Sequence, residues 1–361
     1  MSVLTARSEV LLSTGGGRLS VLVDRRSATA TGALLGTVVA LAVLSTALGT
    51  RLLPITDVLA GLAGTADRGV TLTVREFRLP RTVVAVLVGM ALGTAGALTQ
   101  ALTRNPLASP DVLGVVNGAS AGAVLVLITA GGATAGYGGA AAGLSEVGVP
   151  LGAVGGALLS AALVLGIASR RIGALPGTQR VVLVGIILNA VFLGLVQWAL
   201  TVGDVDQATK AAVWLTGSLH GRGWEHVSAV GITLIVLLPL ALLLRRPLEA
   251  VALGEDVAAA LGIPMRRLRL VLFTVAFALA GTAVAAAGAI SFVALLAPLL
   301  ARRMTRRSAP LLPAALTGAA LLLAADVLAR YILPGHELPA GAVTALVGAP
   351  VLLVLLVRGR T

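Results

Sequence analysis

The sequence predicts an all-α polytopic membrane protein with about ten transmembrane helices, and three observations support this prediction. Of the 361 residues, 57% are hydrophobic and 12% are charged, about half the charged fraction of a soluble domain. The apolar residues occur in long blocks, and about 20 such residues suffice to cross the bilayer core. Because backbone groups in lipid must be satisfied internally, these blocks are expected to form helices.

A polar leader, residues 1–27, precedes the apolar blocks. It has no signal-peptide pattern of a short apolar region and a small-residue cleavage site, so it is interpreted as a cytoplasmic tail. Residues 28–361 are interpreted as a single transmembrane domain. The eighth block is short and flanked by polar residues. The ten candidate spans cover residues 28–50, 81–102, 112–130, 150–168, 181–201, 227–244, 270–288, 290–301, 310–330 and 340–357.

Glycine is abundant, with 44 residues. Small residues allow helices to approach closely in lipid, where apolar side chains give no preference for protein over lipid. Gly89 and Gly93 form a Gly-x-x-x-Gly step in the second span, which predicts a close helix contact. A compositional bias toward Ala and Gly is the alternative explanation.

The net charge of +12 is explained by position and not by nucleic acid, because the arginines cluster at span ends without interleaved aromatic residues. With the N-terminus inside and alternating spans, 19 of the 27 cations lie inside and 8 outside. This excess predicts that both termini are cytoplasmic. The chain has no cysteine, so disulfides are excluded.

Three predicted outer arginines, Arg75, Arg78 and Arg81, occur together in "REFRLPR". On the residues alone they could simply anchor a span end at the membrane interface.

The segment 103–122, "TRNPLASPDVLGVVNGASAG", interrupts the apolar pattern with Pro106 and Pro110 and adds Asn105, Asp111 and Asn117. Irregular backbone at membrane depth is tolerated where protein buries it or water reaches it. The segment is therefore either a tight turn or a re-entrant, pore-lining element.

The segment 253–269, "LGEDVAAALGIPMRRLR", predicts a short helix on the cytoplasmic side. Glu255 and Asp256 suit the positive N-terminus of a helix, and Gly262 suits a left-handed stop. About two turns are too few for a stable isolated helix. We therefore expect this helix to need a partner surface, although a simple soluble connector is the alternative.

Asp326 is the one clear acidic residue within a predicted span, and an intramembrane acid is a candidate functional residue. It lies four residues before Arg330, the spacing of a same-face ion pair in a helix. A structural pair that positions Arg330 and a direct contact with ligand both remain open.

Several long motifs together resemble the permease subunits of ABC importers for iron–siderophores, haem and vitamin B12, and they cover nearly the whole chain in order. One departure is that "ISFVALLAPLLAR" has Ala294 and Leu299 where that family commonly has Gly and His. The motifs are "RLPR" (78–81), "NPLASPDVLGVVNGA" (105–119), "WLTGSL" (214–219), "LGEDVAAALGI" (253–263), "GAALLLAADVLAR" (318–330) and "ELPAGAVTALVGAP" (337–350).

The resemblance implies a ten-span permease in the bacterial cytoplasmic membrane, of type II importer architecture. It implies a second permease copy or a sister permease, two cytoplasmic ATPases and an extracytoplasmic binding protein as partners. No cofactor or metal is expected on this chain, since ATP and magnesium would bind the ATPase. The chain itself lacks a phosphate-binding Gly-x-x-x-x-Gly-Lys-Ser/Thr loop.

Residue roles are also implied by the resemblance. Arg78, Arg81 and Arg330 match positions that contact acidic residues of the binding protein. The loop 245–269 matches the segment that couples the permease to the ATPase, and the "NPLA" region and the loop 170–180 match a pathway or gate. The coupling residues are Gly254, Glu255, Asp256, Ala260, Leu261 and Gly262, and the pathway or gate residues are Gln100, Asn105, Pro106 and Leu107.

The expected function is ferric siderophore import, with cobalamin or haem as alternative cargo. A secondary transporter is a weaker alternative, because Asp326 is a single intramembrane acid. An intramembrane enzyme is disfavoured, because His220, His226 and His336 lie in predicted outer loops without metal-ligand spacing.

Overall fold

A computed structural model describes residues 9–13, 20–49, 52–131, 140–169, 177–333 and 337–358. The regular elements of these residues are helices and one two-stranded antiparallel hairpin near the N-terminus. The strands are β1 (Glu9–Ser13) and β2 (Ser20–Asp24). The helices are α1 (Arg25–Ala47), α2 (Ile55–Ala63), α3 (Arg68–Leu72), α4 (Leu79–Thr103), α5 (Val115–Gly131), α6 (Ala140–Ser169), α7 (Gly177–Val202), α8 (Val205–Leu215), α9 (Trp224–Leu243), α10 (Arg245–Ala252), α11 (Glu255–Ala260), α12 (Met265–Ala287), α13 (Val293–Thr305), α14 (Leu311–Tyr331) and α15 (Ala340–Arg358).

Each of the ten predicted blocks overlaps one long helix. Within the described residues, seven helices are long and apolar enough to cross a membrane, and α5 and α15 contain shorter apolar stretches. The π-helical turn Thr73–Arg78 joins α3 to α4 without a break. The seven helical stretches are Arg25–Ala47, Arg68–Thr103, Gly148–Ser169, Thr178–Val202, Trp224–Leu243, Met265–Ala287 and Leu311–Tyr331.

Helix α4 is the centre of the bundle. It packs against α9, α12, α13 and α14, and its residues from Ala91 to Leu102 are all buried. Helices α12 and α14 are also mostly buried, whereas only small fractions of α1 and α9 are buried. In a membrane protein such outer apolar faces meet lipid.

Glycines set the distance between α4 and α14, as the Gly-x-x-x-Gly step predicts. A Cβ on Gly93 would lie 2.2 Å from the carbonyl oxygen of Ala314, and one on Gly89 would lie 2.5 Å from that of Gly318. No side chain fits at either position, so the two backbones are in direct contact. The close approach shows that these two glycines are required for packing, so a compositional bias does not explain them.

Four short helices were not anticipated. Helices α2 and α3 occupy the segment that precedes α4, α8 follows α7, and α10 precedes α11. Within the leader the structure describes the hairpin, and α1 begins at Arg25. Each of these elements is short, and tertiary contacts rather than intrinsic propensity stabilise such elements.

The helices run between two ends of the bundle, which place the candidate residues in two groups. At the first end, Trp224 Nε1 donates to the Arg75 carbonyl oxygen over 3.1 Å. At the second end, Arg26 Nε donates to the Met304 carbonyl oxygen over 3.0 Å. We call these the arginine end and the α11 end.

Candidate functional site

A buried carboxylate organises the arginine end. Asp326 on α14 is fully buried and accepts a hydrogen bond from Arg81 Nη2 over 2.9 Å. Its second oxygen accepts from Arg330, one helical turn later on the same helix. The i,i+4 spacing identified the Arg330 partner, whereas Arg81 comes from α4 and was not foreseeable from spacing. Asp326 therefore joins the two central helices α4 and α14.

A second carboxylate extends the cluster toward solvent. Glu337 precedes α15, and its Oε2 accepts from Arg81 Nη1 over 2.9 Å and lies 3.2 Å from His220 Nδ1. Burial alone would raise the pKa of Glu337, but the hydrogen bond and charge of Arg81, followed by those of His220, hold this pKa below its ordinary value. The carboxylate is therefore ionised at neutral pH.

Two of the arginines cap the end of α1. Arg78 Nη1 donates to the carbonyl oxygens of Thr46 and Ala47 over 3.0 and 2.9 Å. Arg330 Nη1 donates to those of Ser45 and Leu48, each over 3.0 Å. The last carbonyls of a helix lack partners within the helix, and cations are favourable there. Both arginines thus also have a structural role.

The arginine cluster, defined as Arg78, Arg81, Arg330, Asp326 and Glu337, carries a net charge of +1. Its members differ in accessibility, since the exposed side-chain fraction is 7% for Arg330, 14% for Arg81 and 37% for Glu337. Arg78 is partly exposed. The cluster can therefore attract an acidic partner mainly through Arg78 and Arg81, while Arg330 is largely enclosed.

The α11 end presents the short helix that the sequence predicts. Helix α11 ends in two backbone hydrogen bonds, from Gly262 N to Ala259 O and from Ile263 N to Ala258 O, over 2.9 and 3.1 Å. This pair defines a Schellman stop, in which the C′ residue is left-handed, and Gly262 has φ +76°. The local sequence alone was sufficient to locate this element.

The exposed surface around α11 is apolar. Leu253, Val257 and Leu261 are 74%, 44% and 66% exposed, whereas Ala258 is buried. Asp256 and Ala260 are exposed. Apolar side chains so displayed outside the apolar spans are typical of an interaction surface, and we call this set the α11 surface.

The "NPLA" turn also lies at the α11 end. Asn105 and Pro106 are exposed and Leu107 is 42% exposed. Asn105 Oδ1 accepts from the Leu107 N–H over 2.9 Å, an Asx turn that fixes the loop. The proposed companion loop 170–180 lies mostly outside the described residues.

Gln100 lies between helices and not on an open surface. It is 1% exposed, and its Nε2 donates to the Leu295 carbonyl oxygen over 3.0 Å, while Oε1 accepts from Arg302. A Cβ on Gly96 would overlap the Ala294 carbonyl oxygen, so α4 and α13 are in direct contact here. This position favours a structural role for Gln100 over pathway lining.

A polar cavity of about 420 Å³ lies between α5, α7 and the link from α12 to α13. Asn117, Asn189, Gln197 and Ser291 line it, and Asn117 Nδ2 donates to Asn189 Oδ1 over 2.8 Å. Asn189 and Gln197 are eight residues apart, which places them on one face of α7. Polar side chains at this depth are costly unless they face water or protein. Asn117 belongs to the segment 103–122, for which a pore-lining element is one of the two interpretations of the sequence. Its contact with Asn189 could not be predicted from the sequence.

Among the residues that the structure describes, no group of three or more His, Asp and Glu side chains is arranged to hold a metal ion.

Similarity to known proteins covers most of the chain. The Fe(3+)-citrate import system permease protein YfmE of Bacillus subtilis is 39% identical over 88% of this chain and 91% of that protein. The ferric enterobactin transport system permease protein FepG of Escherichia coli is 38% identical over 86% and 90%. The vitamin B12 import system permease protein BtuC of Salmonella paratyphi A is also 38% identical, over 80% and 84%.

The fold is likewise similar to a solved structure. A metal-chelate type ABC transporter in an inward-facing conformation superposes with a TM-score of 0.78 and 26% identity, over 92% of this chain and 99% of that one. The FecCD transport family matches residues 37–358. The matched residues include both the arginine cluster and the α11 surface. Because the match covers most of the chain, the chain belongs to the FecCD transport family.

Proposed function

We propose that this chain is the permease subunit of an ATP-driven importer that carries a ferric siderophore across the bacterial cytoplasmic membrane. The observation that carries this proposal is the family match over residues 37–358, together with relatives named for ferric citrate and ferric enterobactin at 39% and 38% identity. The chain has ten spans with both termini in the cytoplasm, and the positive-inside arrangement supports this orientation.

The binding protein docks at the arginine end. Charge complementarity at such a rim steers encounter and fixes orientation, and the arginine cluster offers a net positive charge. Arg78 and Arg81 meet acidic side chains of the binding protein. Arg330, which is enclosed, contributes by holding Asp326 and the last turn of α1.

Two cytoplasmic ATPases, which hold ATP and magnesium, bind at the α11 surface. The short α11 is held at both ends, by Gly254 with φ +131° and by Gly262 with φ +76°. A rigid element with exposed apolar side chains can fill a groove and transmit motion to α12, which follows directly. Asp256 places negative charge in the first turn of α11, which is favourable at a helix N-terminus.

A second permease copy, or a sister permease, completes the pathway against the cavity of α5 and α7. Asn117, Asn189 and Gln197 supply neutral polar groups to the cargo. The proposed gate at the cytoplasmic side is the turn Asn105–Leu107, which is exposed and is held by its Asx turn.

Uptake in a deletion strain tests the cargo. Cells expressing the transporter with its binding protein are given radiolabelled ferric siderophore, cobalamin or haem in separate assays. Binding-protein-dependent uptake of the ferric siderophore alone supports the proposal. Cobalamin is a defined alternative because of the similarity to a vitamin B12 permease. Uptake of cobalamin alone, or of haem alone, would contradict the proposal.

Reconstitution tests the energy source. Proteoliposomes containing the permease, with and without the ATPase, are supplied with loaded binding protein, ATP or an ion gradient. We expect accumulation only with ATPase and ATP. Accumulation driven by a proton or sodium gradient without ATPase would instead identify a secondary transporter.

A further inference from the structure

A second cavity, of about 720 Å³, lies on the arginine end of the bundle between α6, α8, α9 and α12. Its polar part is lined by Lys210, Arg222, Glu225 and His226. These residues belong to neither the arginine cluster nor the polar cavity of α5 and α7.

Arg222 is the cation at the centre of this polar part. Its Nε donates to the Ser218 carbonyl oxygen over 3.3 Å, and Nη1 lies 3.1 Å from His226 Nε2. Burial lowers the pKa of Arg222, and only the charge of Glu225 acts in the opposite direction. Arg222 is only partly buried, and among the described residues it forms no ion pair with a carboxylate, so its guanidinium is available to a further anionic partner.

His226 cannot be that anionic partner. His226 Nε2 lies 3.1 Å from Arg222 Nη1, while Nδ1 lies 2.9 Å from Glu225 Oε1 and 3.3 Å from the Gly223 backbone nitrogen. An imidazole carries no negative charge, so it cannot neutralise Arg222. With Lys210 and Arg222 positive and Glu225 negative, the polar part of the cavity has a net charge of +1, which one monoanion neutralises.

The remaining walls are apolar and reach the outer surface of the bundle. Val149, Leu151 and Val154 of α6 line the cavity, and Leu151 is 64% exposed. On α9, Ile232 and Ile235 are 64% and 74% exposed. In a membrane-spanning chain this surface is in contact with acyl chains, so the cavity joins a cationic recess to the lipid phase.

We propose that this cavity binds a monoanionic phospholipid, with its headgroup phosphate at Arg222 and Lys210 and its acyl chain along Leu151 and the exposed face of α9. A guanidinium suits phosphate oxygens through paired N–H groups. The cavity volume falls within the range of small-ligand sites. A free anion would satisfy Arg222 but would leave the apolar wall without a function.

Native mass spectrometry of the full chain in detergent tests this proposal. Phosphatidylglycerol and phosphatidylcholine are titrated against wild type, Arg222→Gln and the control Arg68→Gln, which removes an exposed cation from the same end of the bundle. We expect tighter binding of phosphatidylglycerol than of phosphatidylcholine. Loss of charged hydrogen bonds in Arg222→Gln should weaken phosphatidylglycerol binding about tenfold, with no change in Arg68→Gln.

A second variant blocks the cavity without changing its charge, so the test does not depend on correct folding of Arg222→Gln. Ala229→Trp places a large side chain at an exposed position on the cavity wall and should also weaken phosphatidylglycerol binding about tenfold. Inorganic phosphate is added as a competitor and should not displace the lipid.

Three results would overturn the proposal. These are equal phosphatidylglycerol binding by Arg222→Gln and Arg68→Gln, displacement of the lipid by inorganic phosphate, and equal binding of phosphatidylcholine. A fall in binding-protein affinity in Arg222→Gln with unchanged lipid binding would also reject it and assign the recess to protein docking.

Discussion

At the residue scale, Asp326 illustrates how one side chain serves two helices. Its carboxylate neutralises Arg330 on its own helix and Arg81 on α4. Removing the charge leaves the enclosed Arg330 without a carboxylate and leaves Arg81 with Glu337 alone. The sequence identified Asp326 and one partner through periodicity, but the second partner is 245 residues away, and no local pattern predicts such a pairing.

Replacement of this carboxylate should be severe. Asp326→Asn is expected to destabilise the protein by about 3–5 kcal/mol, the usual cost of breaking a buried ion pair. Glu337→Gln, a matched change at a 37% exposed side chain, should cost about 1 kcal/mol or less. Thermal unfolding in detergent measures both. Equal losses would show that the burial of Asp326 does not determine its contribution.

Docking through Arg78 makes a second prediction at this scale. Arg78→Gln should lower binding-protein affinity several-fold at low salt, and the deficit should shrink as ionic strength rises, because exposed charge pairs are screened. Surface-binding measurements over a salt series provide the comparison with Arg68→Gln. If the two variants lose the same affinity, the effect is one of general charge and not of this arginine.

At the element scale, helix contacts depend on the absence of side chains. Gly93→Ala would place a Cβ 2.2 Å from the Ala314 carbonyl oxygen, so we expect a loss of about 1–3 kcal/mol from overpacking. Gly194→Ala on α7 meets no atom within 4 Å and should be neutral or stabilising, since Ala favours helices. The same unfolding assay compares them. A neutral Gly93→Ala would contradict the tight contact of α4 and α14.

The α11 surface is a second element with a specific expectation. Ala260→Trp enlarges an exposed side chain there and should uncouple ATP hydrolysis from uptake while leaving binding-protein affinity unchanged. Ala28→Trp, an exposed position on α1 at the same end, provides the control. ATPase and uptake rates in one reconstituted preparation report the coupling. Normal coupling of ATP hydrolysis to uptake in Ala260→Trp would show that α11 is only a connector.

At the scale of the whole molecule, orientation connects the two ends to their partners. The natural sequence has no cysteine, so single cysteines can be placed without background. A membrane-impermeant maleimide added to intact spheroplasts should label Thr65→Cys, which is exposed at the arginine end, and spare Ala259→Cys on α11. Labelling should reverse in inside-out vesicles. Labelling of Ala259→Cys in spheroplasts would invert the predicted topology.

Local signals in the sequence were sufficient to predict an all-helical membrane fold, the approximate positions of the long helices and the stop of α11. These signals are apolar block length, glycine and charge at helix ends. Three features follow only from helix packing: Arg81 pairs with Asp326, Gln100 is enclosed between α4 and α13, and Arg222 faces a cavity. Side-chain direction and long-range pairing depend on how helices pack against each other, and an apolar sequence of this kind has no periodic polar face from which that packing can be predicted.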